Sequence, residues 1–160
     1  KEPVQRVQKK LDEYNQELRA IVLNSSARTA QQAAESLNTE VGSIVKSLLF
    51  KTESGFVLCL VSGDKKCSLN KLKKIKNQKD VSMANPDQVK EITGFTIGGV
   101  SPVGHLKPLE IYIDEELSRF KNIYAAAGHP NCIFKIDFDN LTKITKGAVK
   151  NITEWILLKP

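Results

Sequence analysis

The chain has 160 residues, 41% of them hydrophobic and 26% charged, which is typical of one globular domain and excludes a disordered chain. Its 24 lysines and arginines outnumber 18 aspartates and glutamates, and the resulting net charge of +6 permits an anionic partner without requiring one. No apolar stretch could span a bilayer, and three cysteines are too few for a disulfide framework. We therefore expect a single cytoplasmic domain over residues 1–160, with reduced thiols and no membrane partner.

Apolar residues three or four positions apart predict a series of short helices. The predicted helices are residues 3–14, 30–37, 69–75, 86–92, 115–120 and 139–145. Two of them carry start signals, because Thr29 and Gln32 form a capping box and Asn85 precedes a proline at the first helical position. Gly94 is then a natural end for the helix that Asn85 starts.

Runs of β-branched and alternating apolar residues predict strands between these helices. The predicted strands are residues 19–23, 43–51, 56–61, 81–83, 109–113, 123–127, 133–136 and 149–155. The strands at 43–51 and 56–61 flank a turn at 53–55, which predicts a hairpin. Because helices and strands are interspersed without a βαβ rhythm, we expect a single α+β domain with a mixed, curved sheet.

Seven lysines and no acidic residue lie between Lys65 and Lys79. Such clustering suits contact with a phosphate backbone, because each contact releases condensed counterions. A solvated lysine-rich helix that keeps the protein in solution explains the same pattern. Charge alone slightly favours this second interpretation.

The usual catalytic signatures are missing from the sequence, which contains no P-loop, GxGxxG, HExxH or GxSxG motif. Its two histidines, His105 and His129, do not have the spacing of a zinc site, so neither metal catalysis nor a cofactor is expected. A nucleophilic triad that assembles only in space stays open on residue types.

Three features can nevertheless carry chemistry. Lys46 interrupts an apolar strand, where an ammonium must either reach water or meet an anion; an exposed strand face is the simpler explanation for one isolated lysine. The glycine-rich segment 98–104 can turn backbone N–H groups toward an anion, or can be a plain turn. His129 lies between a glycine and a proline, where it could orient water, bind a substrate carbonyl or amine, or cap a strand end.

The segments 45–50, 93–95 and 98–105, in that order, resemble the YbaK family of aminoacyl-tRNA deacylases. This family includes the editing insertion domain of bacterial prolyl-tRNA synthetase and its free-standing relatives. The similarity covers about residues 27–152. It implies a YbaK-like α+β domain with a barrel-like sheet flanked by short helices.

The resemblance also implies roles for matched residues. Lys46 corresponds to the family's essential lysine, which engages the 3′-terminal phosphate of tRNA and the substrate. Segment 98–102 matches the GxxxP loop, so that Gly98 and Gly99 would stabilise the oxyanion. The remaining assignments are substrate contacts at Val100, Ser101, Pro102, His105 and His129, and tRNA contacts at Lys71, Lys73 and Lys74.

The function implied by this resemblance is metal-independent hydrolysis of the ester between a mischarged small amino acid and tRNA, as in editing of prolyl-type tRNA. Ser101 and Pro102 are similar to the cysteine-deacylase members, whereas His129 with its neighbours is similar to the alanine-editing members, so the amino acid stays open. The expected partner is the 3′ acceptor end of aminoacyl-tRNA, with a synthetase as a further candidate. Two alternatives remain: a non-catalytic tRNA- or synthetase-binding module, and a hydrolase of small acyl esters unrelated to tRNA.

Overall fold

The α-helices of the structure lie close to the predicted residues, and the N-terminal caps predicted at Thr29 and Asn85 are present. The computed structural model describes residues 2–24 and 28–156. Within this part of the chain there are five α-helices: α1 (Glu2–Tyr14), α2 (Ala30–Leu37), α3 (Leu69–Lys76), α4 (Pro86–Thr93) and α5 (Phe138–Thr145). The Thr29 and Asn85 side chains accept the N–H groups of Gln32 and Gln88, and both glutamines close capping boxes. The predicted helix at 115–120 is a short 3₁₀ helix, Glu115–Arg119, and a second one covers Val41–Ser43.

The strands form one large mixed sheet and one small ribbon. The ten strands of the described residues are β1 (Ile21–Val22), β2 (Ile44–Thr52), β3 (Gly55–Ser62), β4 (Lys65–Cys67), β5 (Ser82–Met83), β6 (Glu110–Asp114), β7 (Ile123–His129), β8 (Cys132–Ile136), β9 (Ala148–Lys150) and β10 (Thr153–Trp155). The large sheet has the order β1-β8-β7-β2-β3-β6-β9, with β5 also paired to β2, while β4 and β10 form the ribbon. Parallel pairs join β2 to β7, β3 to β6 and β6 to β9, and the other pairs are antiparallel. The predicted α+β fold with a mixed sheet and short flanking helices is confirmed.

Three strand predictions differ from the structure. The predicted strand at 19–23 is reduced to Ile21–Val22, and the predicted segment 149–155 is divided into β9 and β10. Strand β4 was not predicted, since Lys-Lys-Cys has no apolar alternation and is held in place by its pairing with β10. Residues 1, 25–27 and 157–160 lie outside the described residues, and residue 27 is the approximate start of the resemblance given above.

Two apolar clusters cover the two faces of the β2–β3 hairpin. Alternate residues of β2 point to opposite faces of the sheet. Val45 and Leu49 belong to the cluster that includes residues of α1 and α5. Phe50 and Leu48 pack with the cluster that includes Leu72 of α3. None of the helices in the described residues is long and apolar enough to cross a membrane.

The second edge of β2 is paired at its two ends but not in its middle. Strand β7 pairs with Ile44 and Val45, and β5 pairs with Phe50 and Lys51. Beyond these strand pairs, the Ala84 N–H donates to the Leu49 carbonyl at 2.9 Å. Residues 46–48 therefore have no strand partner on this edge among the described residues. This gap is what positions the site described next.

Candidate active site

A cavity of about 380 Å³ opens at the gap in the β2 edge, between β5 and β7. Its size is within the range of sites for small molecules. The wall is mostly apolar, with two cationic side chains, Arg28 and Lys46. The lining residues come from four stretches of chain and are Arg28, Thr29, Ala30, Ala33, Ile44, Val45, Lys46, Ser47, Leu48, Leu49, Met83, Ala84, Val89, Ile97, Gly98, Val100, Tyr124, Ala125, Ala126, Pro130 and Ile133.

Lys46 is half-buried, and its ammonium donates a hydrogen bond to the Lys65 carbonyl. Burial lowers the pKa of Lys46 below its ordinary value, although the negative charge of nearby Asp64 opposes this. An ammonium has three N–H donors, so the bond to Lys65 leaves two for a ligand. Lys46 and Gly98 border the same cavity, and the half-burial of Lys46 rules out the alternative of a lysine on a solvated strand face.

The glycine segment packs directly on the turn between β7 and β8. A Cβ added to Gly99 would lie 3.0 Å from the His129 Cα, so the two backbones approach so closely that any other residue would push them apart. The Gly99 N–H donates to the Thr96 carbonyl at 2.9 Å. This corrects the prediction that Gly99 supplies an oxyanion donor, because its N–H is already used in a turn. Gly98 has a φ of 92°, and its N–H has no acceptor within residues 2–24 and 28–156.

His129 is half-buried at the end of β7, beside the cavity. Its Nδ1 accepts the Asn131 N–H at 3.1 Å. In the neutral ring the proton is then on Nε2, which can donate to a substrate oxygen. The neighbouring Pro130 lines the cavity, while His129 itself is not among the lining residues. The turn therefore brings the His129 backbone close to Gly99 and Pro130 close to Gly98.

Three predicted substrate contacts lie elsewhere. Ser101 is fully buried, and its hydroxyl accepts the Val103 N–H at 3.1 Å. Pro102 and His105 line a different cavity, between α1 and the end of α5. The His105 Nε2 is 2.6 Å from the Ser101 carbonyl, which can only accept, so Nε2 carries the proton and donates this bond. Burial lowers the pKa of His105 below its ordinary value. Of the predicted substrate contacts in segment 98–105, only Val100 lines the Lys46 cavity.

The lysine cluster divides into bonded and free side chains. The Lys65 side chain is buried against the Trp155 ring, with its Nζ 3.7 Å from the ring centroid, and Lys76 forms an ion pair with Glu110 at 2.5 Å. The Lys71 ammonium donates to the Asn151 side chain at 3.0 Å. Of the predicted tRNA contacts, Lys73 and Lys74 are the two whose ammonium groups have no bonding partner in the described part of the chain.

None of the wall's polar residues except Lys46 was assigned to the site from the sequence, and two of the residues missed, Arg28 and Ser47, bear on function. Arg28 directly precedes the α2 capping box, and the sequence offered no sign that it lines the same cavity as Lys46. Ser47 follows Lys46 directly, and only the structure reveals the state of its hydroxyl, which is buried without a hydrogen-bond partner. In the described residues, no group of three or more His, Cys, Asp or Glu side chains is placed to hold a metal ion.

Comparison with known proteins shows the family to which the chain belongs. The model of the family described as "aminoacyl-tRNA editing domain" matches residues 24–144. A solved structure described as a candidate trans-editing enzyme for prolyl tRNA synthetase superposes with a TM-score of 0.91 and 39% identity, covering 96% of this chain and 98% of that one.

Two relatives connect the chain to tRNA. EbsC of Enterococcus faecalis, named as a candidate Cys-tRNA(Pro)/Cys-tRNA(Cys) deacylase, is 30% identical over 78% of this chain and 77% of its own. A proline–tRNA ligase of Caldicellulosiruptor saccharolyticus is 32% identical over 83% of this chain, which corresponds to only 23% of the ligase. The chain therefore belongs to the aminoacyl-tRNA editing domain family, the YbaK-type family that its motifs resemble.

Proposed function

We propose that this protein is a trans-editing aminoacyl-tRNA deacylase, which hydrolyses the ester between a mischarged small amino acid and the 3′ end of tRNA in the cytoplasm. The observation that carries the proposal is that Lys46 and Gly98 border one cavity of about 380 Å³ at the unpaired edge of β2. The family and the likeness to a candidate trans-editing enzyme support a tRNA deacylase role.

Cations would hold the tRNA end so that the ester enters the cavity. Lys46 and Arg28 would contact phosphate groups of the terminal nucleotides, since both line the cavity. Fixing the phosphate fixes the carbonyl carbon as well, which lowers the barrier by proximity. Lys73 and Lys74 would contact the tRNA backbone farther from the ester. A prolyl-tRNA synthetase is the partner that the alignment with proline–tRNA ligase favours.

The proposed chemistry is ester hydrolysis without a metal ion. Water, assisted by the neighbouring ribose hydroxyl, adds to the carbonyl carbon; the bond from this carbon to the ribose oxygen then breaks, and the proton of the water passes to that oxygen. The free Gly98 N–H would bind the oxyanion, and one such donor contributes about 3–4 kcal/mol. The His129 Nε2–H would hold a substrate oxygen.

The decisive experiment measures amino acid release from a panel of tRNAs charged with Ala, Ser, Thr, Cys or Pro. Lys46→Met keeps the aliphatic stem and removes the charge. Hydrogen bonds to charged groups contribute about 1.5–3 kcal/mol, so kcat/KM should fall between about 10- and 150-fold. Lys51→Met is the matched control, because Lys51 lies on the same strand but is exposed and outside the cavity wall. It should leave kcat/KM unchanged.

The alternatives give different results in the same assay. A non-catalytic binding module would release no amino acid from any tRNA. A general ester hydrolase would cleave simple esters at a rate independent of salt, whereas binding of a tRNA backbone weakens as salt rises. Equal losses in Lys46→Met and Lys51→Met would remove Lys46 from the mechanism.

A further inference from the structure

The Ser47 hydroxyl is the one buried side-chain nitrogen or oxygen atom of the described residues without a hydrogen-bond partner. Other buried polar side chains are satisfied: the Ser62 hydroxyl donates to the Gly42 carbonyl at 2.5 Å, and the Thr93 hydroxyl donates to the Val89 carbonyl at 2.7 Å. A buried hydroxyl without a partner is unfavourable, and such groups in native proteins call for an explanation. Ser47 lines the Lys46 cavity, so a ligand in the cavity can supply the missing partner.

Strand alternation places Ser47 and Lys46 on opposite faces of the sheet. Ser47 has the parity of Val45 and Leu49, which are 5% and 3% exposed and belong to the larger apolar core. Leu48, with the parity of Lys46, packs with the other core cluster. The Ser47 hydroxyl therefore faces the interior of the cavity, while the Lys46 ammonium lies on the side of Lys65.

The interior around Ser47 is apolar. The buried cavity residues Val89, Val100, Ala125 and Ile133 present only hydrocarbon side chains. The part of the substrate that enters this interior is its smallest and least charged part, the side chain of the amino acid, because the phosphate stays with Lys46 and Arg28. A hydrophobic pocket by itself does not distinguish a hydroxyl from a methyl group of similar size, but a pocket with a buried hydrogen-bonding group does.

We infer that Ser47 determines specificity: its hydroxyl binds the side-chain hydroxyl or thiol of the amino acid, so that the cavity selects esters of Ser, Thr or Cys over apolar amino acids of the same size. This inference rests on the proposed deacylase function and narrows its substrate class. An apolar side chain would leave the Ser47 hydroxyl unpaired in the complex, and we expect a preference of about tenfold or more for the polar side chain.

The test compares two esters on the same tRNA, one of serine and one of 2-aminobutyrate, which has a methyl group where serine has its hydroxyl. Single-turnover deacylation is measured with the wild type and with Ser47→Ala, Ser47→Thr and Ser82→Ala. The last variant is the control, because Ser82 is exposed on β5 and lies outside the cavity wall. We expect the wild type, Ser47→Thr and Ser82→Ala to prefer serine, and Ser47→Ala to hydrolyse both esters within about twofold.

Folding gives an independent readout. Because the Ser47 hydroxyl has no partner to lose, Ser47→Ala should unfold in urea at a concentration no lower than the wild type. An equal loss of rate on both esters in Ser47→Ala would place the hydroxyl on the ribose or the ester and overturn the inference, as would an unchanged serine preference. If no ester is hydrolysed by any variant, the proposed function fails and the inference fails with it.

Discussion

The contact between Gly99 and the His129 backbone can be tested by adding a single carbon atom. In Gly99→Ala the new Cβ would lie 3.0, 3.1 and 3.2 Å from the Cα, N and C atoms of His129. Ordinary van der Waals contact begins at 3.4 Å, so the two backbones must separate by a few tenths of an ångström. Overpacking of this kind costs about 1–3 kcal/mol, and replacing glycine returns about 0.4–1 kcal/mol by restricting the unfolded chain. The difference lowers the free energy of unfolding by about 0–2.6 kcal/mol, with a midpoint near 1.3 kcal/mol.

The separation should also reach the reaction. Since a 1 Å misplacement costs about 100-fold, a few tenths of an ångström should lower kcat/KM by about 3- to 10-fold. Gly98→Ala is the comparison for close packing alone, because its Cβ meets only Pro130 Cγ, at 3.6 Å. Its φ of 92° costs about 1–2 kcal/mol, and its activity is not compared because its N–H belongs to the proposed oxyanion contact. Urea unfolding measures both losses. The NMR signal of the His129 ring, one of two histidines in the chain, should move in Gly99→Ala only. A Gly99→Ala protein with wild-type stability and an unmoved His129 signal would refute the close-packing argument.

Three further predictions concern groups outside the wall of the Lys46 cavity. Burial lowers the pKa of His105 below 6.5, so the unfolded chain binds a proton on this ring more tightly than the native protein does. The free energy of unfolding, measured in urea, should therefore fall as the pH drops below 6.5. His105→Gln should remove this component of the pH dependence, and an unchanged slope would contradict it. Asp114 is fully buried and accepts three hydrogen bonds. Asp114→Ala should therefore lower the free energy of unfolding by about 3 kcal/mol or more. A loss below about 1 kcal/mol would contradict this and show that water replaces the carboxylate. Changing Lys73 and Lys74 together to alanine should reduce the salt dependence of log KM by a slope of about 1.5 with kcat unchanged, and the same slope as wild type would remove both lysines from the tRNA interface.

Local sequence signals predicted most of the fold. The capping boxes at Thr29 and Asn85 depend on residues three positions apart, so they are visible in one short stretch of chain. The β2–β3 hairpin likewise depends on two adjacent apolar runs and one turn. In contrast, β4 forms only because β10 arrives from 86 residues later in the chain, with Thr153 opposite Cys67. No pattern within residues 65–67 could have predicted that strand.

The sequence indicated which residues belong to the candidate site, but not which of their atoms face the cavity. Lys46 and Gly98 border one cavity. They could be assigned to one site from the sequence because the order of their motifs resembles that of the family whose model matches the chain. The motif could not show that the Gly99 N–H is used by Thr96 or that His105 faces another cavity, since both facts depend on how one turn is oriented. The Ser47 hydroxyl is buried without a hydrogen-bond partner, and this depends on which groups surround it in space, which a sequence does not record.

The distribution of the cavity wall along the chain has a consequence for folding kinetics. The wall is built from residues 28–33, 44–49, 83–100 and 124–133, and no single hairpin or helix pair encloses it. Contacts between segments this distant form late, because chain closure must precede them. Activity recovered during refolding should therefore track the slowest phase that builds native structure, and a fragment lacking the last of these four segments should have no partial activity.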